Sequence, residues 1–291
     1  SASPHIFFDG VNIQPSSGGA VEINSKSTAC LYFVGHDSKL TGAKSSAAIQ
    51  KSETAGFLRV LVEKDVKAEC IGGENAAGIG GKEGKYTWPD ERSSCENLWF
   101  GSQEATLWSG EIVAQGGFNG AGIGAGNDCG VKQLHFYSGT VSATGGPMGA
   151  GIGGGKEAHA FDIQLTGGKV FTQGVWGAGI GGGSHGLGED ILVMDTWLDA
   201  LASPAFENKA LPAAAVGRGT ELEVIDVAYR EKYTIREQGK VKIGSTERKV
   251  VRLTFYSATW DENDQFAPTQ KFIDRLIPNE YGRIDTTILT L

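Results

Sequence analysis

Short runs of alternating apolar and polar residues occupy much of this chain, and glycine interrupts them at regular intervals. Such alternation predicts strands with one buried face, and the glycine pairs between the runs supply corners because glycine readily adopts positive φ. The runs hold too few good helix formers to form helices. The apolar pairs and the corners that follow this pattern are Leu107/Ile112, Leu134/Phe136, Val141/Ala143, Ile163/Leu165, Ser138-Gly139, Gly145-Gly146 and Gly167-Gly168.

A four-residue segment, Ala-Gly-Ile-Gly, recurs beyond these runs, with degenerate copies on either side. Its central aliphatic residues are spaced 30, 44, 29, 28 and 36 residues apart. Stacked coils give such a period, because insertions are tolerated where they loop out of the stack. The repeated aliphatic position therefore predicts a ladder of contacting side chains. Its members are Ile49, Ile79, Ile123, Ile152, Ile180 and Val216.

These patterns together predict an all-β fold, a single-stranded parallel β-helix. One coil would consist of three short strands joined by glycine corners, stacked on the next coil about 4.8 Å away. The right-handed form is expected by precedent. Three parts are predicted: irregular first coils over 1–70, a regular stack over 71–220, and a small β-rich C-terminal cap over 221–291, because an open last coil would expose strand edges.

The cap is predicted to hold three strands, at Val224–Tyr229, Val241–Ile243 and Val250–Tyr256, and one short amphipathic helix between Pro268 and Pro278.

Several segments resemble the β-helix repeat region of secreted or cell-surface proteins, most familiar in large bacterial surface proteins that are often described as carbohydrate-binding-like. The resemblance rests on Asp9–Ile13, Cys30–Gly35, Ala47–Ile49 and the Gly-Ala-Gly-Ile-Gly-Gly-Gly series, and it covers roughly residues 5 to 220. It implies the fold and an extracellular or cell-surface location. The 44-residue period before Ile123 departs from the pattern, and the family provides no catalytic signature to transfer.

Composition narrows the classes of partner. The net charge of −8 disfavours nucleic acid, a polyanion. Because no run of 18 apolar residues occurs, no membrane span is expected. The segment Ser1-Ala-Ser-Pro4 has neither the charged nor the apolar region of a signal peptide, so we expect any such peptide to have been removed or omitted.

Four cysteines are too few to form a disulfide framework, and none belongs to a C-x-x-C pair. A bridge between Cys95 and Cys129 would join adjacent coils and hold the long insertion. The alternative is four small, apolar thiols, since Cys30 and Cys70 fall inside strand-like runs. The cysteine spacing does not suggest a metal site, and no cofactor motif is present.

Two columns that flank the repeated Ile are candidate surfaces. Four and five residues before the Ile, the equivalent turn positions hold the pairs Glu74-Asn75, Phe118-Asn119, Pro147-Met148 and Val175-Trp176. Facing outward, Phe118, Met148 and Trp176 would form an apolar stripe for sugar rings or a partner protein; the alternative is that they fold back onto the next coil.

After the Ile, we align Lys82-Glu83, Asn127-Asp128, Lys156-Glu157 and Ser184-His185. Repeated carboxylates can act as an acid and base pair, but a solvated polar turn explains them equally simply.

The insertion from Gly84 to Gly101 is a third candidate because it carries Trp88 and Trp99 near charged residues. Insertions on a solenoid edge often carry specificity, whereas its aromatics could also anchor the loop to the coil wall. Two histidines form the fourth candidate set. His159 lies near Glu157 and Asp162 and His185 lies in a turn, but no nucleophile motif accompanies either one.

Two functional hypotheses follow. The first is a non-catalytic extracellular module, an adhesin or surface-structural component, that binds a glycan or surface protein, with Trp88, Trp99, Phe118, Met148 and Trp176 as binding residues.

The second is a carbohydrate-active enzyme, a hydrolase, lyase or transferase, that would use Asp128, Glu157 and Asp162. Flat solenoid faces and the Val250–Tyr256 strand also allow a homo-oligomer.

Overall fold

A computed structural model of the chain describes most of its residues. These are 3–23, 28–51, 56–84, 95–102, 107–193, 196–202, 210–211, 213, 216–217, 219–222, 232–243, 246–260 and 266–276.

Three parallel sheets wind around one core in a right-handed solenoid of about six turns. The solenoid strands of the first sheet are β1 (His5–Phe8), β4 (Ala29–Phe33), β7 (Leu58–Val62), β10 (Cys95–Phe100), β13 (Val131–Phe136), β16 (Ala160–Leu165) and β19 (Gly188–Val193). Those of the second sheet are β2 (Asn12–Ile13), β5 (Ser38–Thr41), β8 (Lys67–Ile71), β11 (Glu111–Gln115), β14 (Thr140–Thr144), β17 (Lys169–Gln173) and β20 (Trp197–Leu201). Those of the third sheet are β3 (Val21–Ile23), β6 (Ile49–Lys51), β9 (Ile79–Gly80), β12 (Ile123–Gly124), β15 (Ile152–Gly153), β18 (Ile180–Gly181) and β22 (Val216–Gly217).

The repeated aliphatic residues form the predicted ladder in the third sheet. Ile123 pairs with Ile79 on one side and with Ile152 on the other, and the same register continues to Ile180 and Val216. All are at most 1% exposed, so each aliphatic side chain packs in the core. Because the period recurs in register, the predicted all-β parallel β-helix is confirmed.

Glycine follows each ladder residue from Ile79 onward, and the backbone there explains why. Gly80, Gly124, Gly153 and Gly181 have φ between +129° and +136°, a region that L side chains rarely adopt. A Cβ atom at Gly153 would also overlap the carbonyl oxygen of Gly181 in the next coil. Glycine therefore lets these short strands stack more closely on one another than any residue with a side chain would allow.

The first and second sheets bury alternate residues against this ladder, as the alternation predicts. Phe100 and Phe136 occupy paired positions on adjacent coils and stack at 4.7 Å between ring centroids. One predicted pair is wrong: Leu107 lies in a turn and is 52% exposed, whereas Ile112 lies in β11 and is buried. A turn separates the two residues, so the strand alternation does not extend across them.

The C-terminal segment adds a three-stranded antiparallel meander to the first sheet. Its strands are β24 (Lys232–Ile243), β25 (Thr246–Trp260) and β26 (Phe266–Leu276), and β26 pairs in parallel with β19. The predicted helix between Pro268 and Pro278 is therefore wrong, because β26 pairs with β25 and β19. Two predicted cap strands fall within β24 and β25, and the one at 224–229 lies outside the described residues.

Two further short strands, β21 (Ala210–Leu211) and β23 (Glu221–Leu222), pair with each other in antiparallel orientation. Strand pairing in the third sheet runs from β3 to β22 without a break, and the three-part division at residues 70 and 220 stays a prediction. Among the described residues, no helix has the length and hydrophobicity to cross a membrane.

All four cysteines carry free thiols, so the bridge between Cys95 and Cys129 is not formed. Cys70, Cys95 and Cys129 are buried, and Cys30 is partly exposed. Burial raises the pKa of the Cys129 thiol to about 12, which keeps it protonated at neutral pH. Three of the cysteines thus behave as small apolar core residues.

Candidate functional site

The turns on either side of the ladder strand reach the surface, while the strand itself is buried. We number positions from the buried aliphatic residue of each coil, which is position 0. Positions −5 and −4 come before it and positions +4 and +5 come after it. The four coils considered have position 0 at Ile79, Ile123, Ile152 and Ile180.

Backbone hydrogen bonds join these two turns into one surface. In the coils of Ile123, Ile152, Ile180 and the following Val216, the amide at +4 donates to the carbonyl at −4 of the preceding coil, so the two columns lie side by side. The four bonds are Asn127 to Asn75 at 2.9 Å, Lys156 to Asn119 at 2.8 Å, Ser184 to Met148 at 2.8 Å and Thr220 to Trp176 at 2.7 Å. We call the surface formed by positions −5, −4, +4 and +5 of these coils the ladder edge.

The aromatic residues of the ladder edge face outward. Phe118 is 56% exposed and Trp176 is 38% exposed, and Met148 is half-buried in the coil between them. Backbone bonds from Met148 to Phe118 and from Trp176 to Pro147 hold consecutive turns in register. No aromatic ring stacks on Phe118 or Trp176 in the part of the chain described above, and both side chains are partly open to solvent.

Polar side chains line the same edge and are partly held in place by one another. Asn119 Nδ2 donates to Asn75 Oδ1 of the adjacent coil at 2.7 Å, and Asn127 Nδ2 donates to Asp128 Oδ2 at 3.1 Å. Lys156 Nζ lies 3.1 Å from Glu157 Oε1. Donors and acceptors therefore stand next to the exposed rings.

Position +5 holds its residues in the left-handed region of φ. Asp128, Glu157 and His185 have φ of 51°, 58° and 64°. Amide bonds from Asp128 to the Lys156 carbonyl and from Glu157 to the Ser184 carbonyl stack these turns. Asp128 and Glu157 consequently occupy neighbouring coils of one column.

Burial, and next the charge of Glu157, raises the pKa of the Asp128 carboxyl above its ordinary value, while Lys156 opposes the shift. Asp128 is therefore protonated more readily in the folded protein than an exposed aspartate would be.

The structure corrects one alignment of this column. Gly84 donates its amide to the Asn127 carbonyl, so Glu83 and Gly84 occupy positions +4 and +5. The sequence alignment had placed Lys82 and Glu83 there, one residue too early. Position +5 of this coil is therefore a glycine, whereas the other three coils have Asp, Glu or His there.

Asp162 lies apart from Asp128 and Glu157. It occupies the first sheet, in a column whose members all have positive φ, and Gln164 Nε2 donates to its Oδ1 at 2.7 Å. The members of that column are Asn97, Gln133, Asp162 and Asp190. The three carboxylates named for catalysis therefore do not converge, and the described residues contain no group of three metal-ligating side chains.

Trp99 belongs to the outer wall of the first sheet and not to the ladder edge. Phe57 stacks on it at 5.1 Å, the Arg59 guanidinium lies 5.1 Å from its ring centroid, and His135 and Tyr137 lie at 5.7 and 6.2 Å. These neighbours pack around the indole, which therefore belongs to the coil wall formed by the first sheet. Trp88, the other tryptophan of the insertion, lies outside the described residues.

Of the two candidate histidines, His159 has a structural role. His159 Nδ1 accepts a hydrogen bond from the Leu187 amide at 2.9 Å, which joins two adjacent coils. His185 is exposed on the ladder edge, with Nδ1 at 3.1 Å from Ser184 Oγ.

Sequence reasoning placed Asn75, Asn119 and Asn127 in the turns that flank the repeated Ile but assigned none of them a role in binding. It also missed the wall that contains Tyr32, His135 and Tyr137. The sequence signal for this wall was the set of alternating strand positions that face outward.

Comparisons with known proteins agree with the architecture. A family model described as a β-helix repeat matches residues 137–156 and 163–184, which cover parts of two consecutive coils of the stack. No curated protein and no solved structure matches the chain. Together with the three stacked parallel sheets, the match identifies this part of the chain as a parallel β-helix repeat region.

Proposed function

We propose that this protein is a non-catalytic β-helix module that binds a glycan through the ladder edge. The observation that carries the proposal is the position of Phe118 and Trp176, two exposed rings without an aromatic partner in the described chain, beside a row of hydrogen-bonding side chains. Sugar rings bind to aromatic faces through their C–H surfaces, and polar neighbours bind their hydroxyl groups.

The rigidity of the scaffold supports binding through this edge. Backbone bonds fix each turn to the next coil, and the buried ladder prevents the turns from moving independently. A preformed surface loses little conformational entropy when a ligand binds. Repetition along the coils also presents similar contacts at a fixed interval, so a polymer can engage several at once.

The resemblance of the repeats to those of secreted and cell-surface proteins supports an extracellular or cell-surface location in this proposal. An adhesin or a surface-structural component would fit such a module. A homo-oligomer would multiply the number of edges available to a polymeric ligand.

A glycan array with single substitutions tests the proposal. We expect Phe118→Ala and Trp176→Ala each to weaken glycan retention about tenfold, equivalent to about 1.4 kcal/mol. Phe7→Ala is the matched control, because Phe7 is 64% exposed but lies on the first sheet at the N-terminal end of the solenoid. Retention of no glycan by the wild type, or equal losses in all three variants, would contradict the proposal and favour a protein partner.

A second candidate function is a carbohydrate-active enzyme, favoured by the raised pKa of Asp128 beside Glu157. Two carboxyl groups whose environments give them different pKa values can serve as acid and base in glycoside cleavage. Release of reducing sugar from a retained glycan, abolished by Asp128→Asn and by Glu157→Gln, would establish this activity. Under the binding proposal, the glycan is retained without any release.

A further inference from the structure

We infer that the ligand of the ladder edge is a neutral, linear β-1,4-linked glycan that lies parallel to the solenoid axis, with one sugar on each coil and Phe118 and Trp176 on alternate sugars. This inference rests on the proposed function and specifies the class and the orientation of its ligand. Three features carry it: the spacing of the rings, the row of polar groups beside them, and the charge of the edge.

The spacing of the rings follows from the stacking of coils. Adjacent parallel strands lie about 4.8 Å apart, and one intervening coil separates the turn of Phe118, at position −5, from the turn of Trp176, at position −4. The two turns are therefore about 10 Å apart along the axis. One sugar of an extended β-1,4-linked chain advances by about one coil. Because alternate sugars of such a chain present the same face, two rings two coils apart match two sugars of the same orientation.

The coil between the rings leaves room for the intervening sugar. It carries Pro147 and the half-buried Met148, neither of which projects an aromatic ring. A ligand that crossed the edge at right angles would meet only one of the two rings. The axial orientation therefore uses both exposed aromatic residues, whereas the transverse one uses a single residue.

The polar groups repeat with the same period. Asn127 and Asp128, Lys156 and Glu157, and Ser184 and His185 stand at positions +4 and +5 of three successive coils. Ser184 is fully buried, so the groups that reach the surface are those of Asn127, Asp128, Lys156, Glu157 and His185. Each of the three coils thus offers at least one group that can hydrogen-bond a hydroxyl, which is both a donor and an acceptor. A chain laid along the edge meets such a group at every sugar.

The charge of the edge favours a neutral polymer. Four carboxylates belong to its turns, those of Glu74, Glu83, Asp128 and Glu157, against the ammonium groups of Lys82 and Lys156. Lys156 is already paired with Glu157, and Glu74 lies 3.6 Å from Lys44. A polyuronate would bring further carboxylates beside Asp128 and would be repelled.

Calorimetric titration with neutral β-1,4-linked oligosaccharides of one to six sugars tests the inference. We expect the affinity to rise at least tenfold between the disaccharide and the trisaccharide, because only three consecutive sugars reach both rings. Trp176→Ala should reduce trisaccharide affinity to the disaccharide level, and Phe7→Ala should leave the rise unchanged. Polygalacturonate should bind more weakly than a neutral polymer of equal length. Circular dichroism checks that each variant is folded.

The outcomes separate this inference from the proposed function. If Phe118→Ala and Trp176→Ala weaken glycan binding but the affinity does not change with chain length, the axial orientation is wrong and the glycan-binding edge stands. Preferential binding of polygalacturonate refutes the neutral class. If the wild type binds none of these glycans, nor any on the array, both proposals fail.

Discussion

Replacing Gly153 by alanine tests whether close stacking of the third sheet holds the solenoid together. Gly153 has φ of 136°, and a Cβ atom there would overlap the carbonyl oxygen of Gly181. That oxygen already accepts a hydrogen bond from the Gly154 amide at 2.8 Å. The alanine therefore strains its own backbone and displaces an acceptor of the adjacent coil.

The magnitude follows from these two effects. A non-glycine residue in a sparsely populated region of φ costs about 1–3 kcal/mol. Loss of one backbone hydrogen bond costs about 0.5–1.5 kcal/mol. We expect Gly153→Ala to lower the free energy of unfolding by about 1.5–4.5 kcal/mol, the sum of the two effects.

Urea unfolding followed by far-UV circular dichroism measures this change, with the free energy obtained from the midpoint and the slope. Gly130→Ala is the matched control, because its Cβ would meet only the His159 carbonyl oxygen, at an ordinary 3.6 Å. Gly130→Ala should be neutral or slightly stabilising, by up to about 1 kcal/mol. Equal unfolding midpoints for the two variants would refute the stacking argument.

Three further predictions concern the core, a carboxyl group and the thiols. Ile152→Val should lower the free energy of unfolding by about 0.5–1.5 kcal/mol in the same urea assay, since Ile152 is fully buried; no loss would contradict its place in the ladder. Because the folded state raises the pKa of Asp128, ionisation disfavours folding, and stability falls as pH rises through that pKa. Asp128→Asn should therefore unfold at higher urea than the wild type near pH 7, and the gain should vanish near about pH 3; a gain that persists there would be inconsistent with the shift. A thiol reagent should label Cys30 in the folded protein and all four cysteines only in denaturant, and fewer than four labelled would indicate a disulfide.

The fold was predictable because its signal is repeated many times. Each coil repeats an aliphatic residue between glycines, and any register other than Ile on Ile would place a side chain where Gly124 or Gly153 allows none. The helix predicted between Pro268 and Pro278 shows the limit of this reasoning. Without a repeat, local propensity was the only guide, and pairing of β26 with its neighbours decides its structure.

The candidate site was only half predictable for a similar reason. Phe118, at position −5, and Trp176, at position −4, could be recognised as members of the same repeated turn from their spacing to Ile123 and Ile180. Their position beside Asp128 and Glu157 depends on hydrogen bonds between different coils, which no spacing along the chain reports. Asp162 was grouped with those carboxylates because it lies close in sequence, although it belongs to another sheet.

The sequence by itself determined that the chain winds into stacked coils around an aliphatic ladder. The strict repeat of Ile and glycine has this effect because only one register buries every Ile and also places glycine where no side chain fits. The tertiary structure decided which surfaces come together. It joined the two turns of the ladder edge, enclosed Trp99 among neighbours, and left Phe118 and Trp176 exposed. These outcomes depend on contacts between residues of different coils, and such contacts are set only when the coils have stacked.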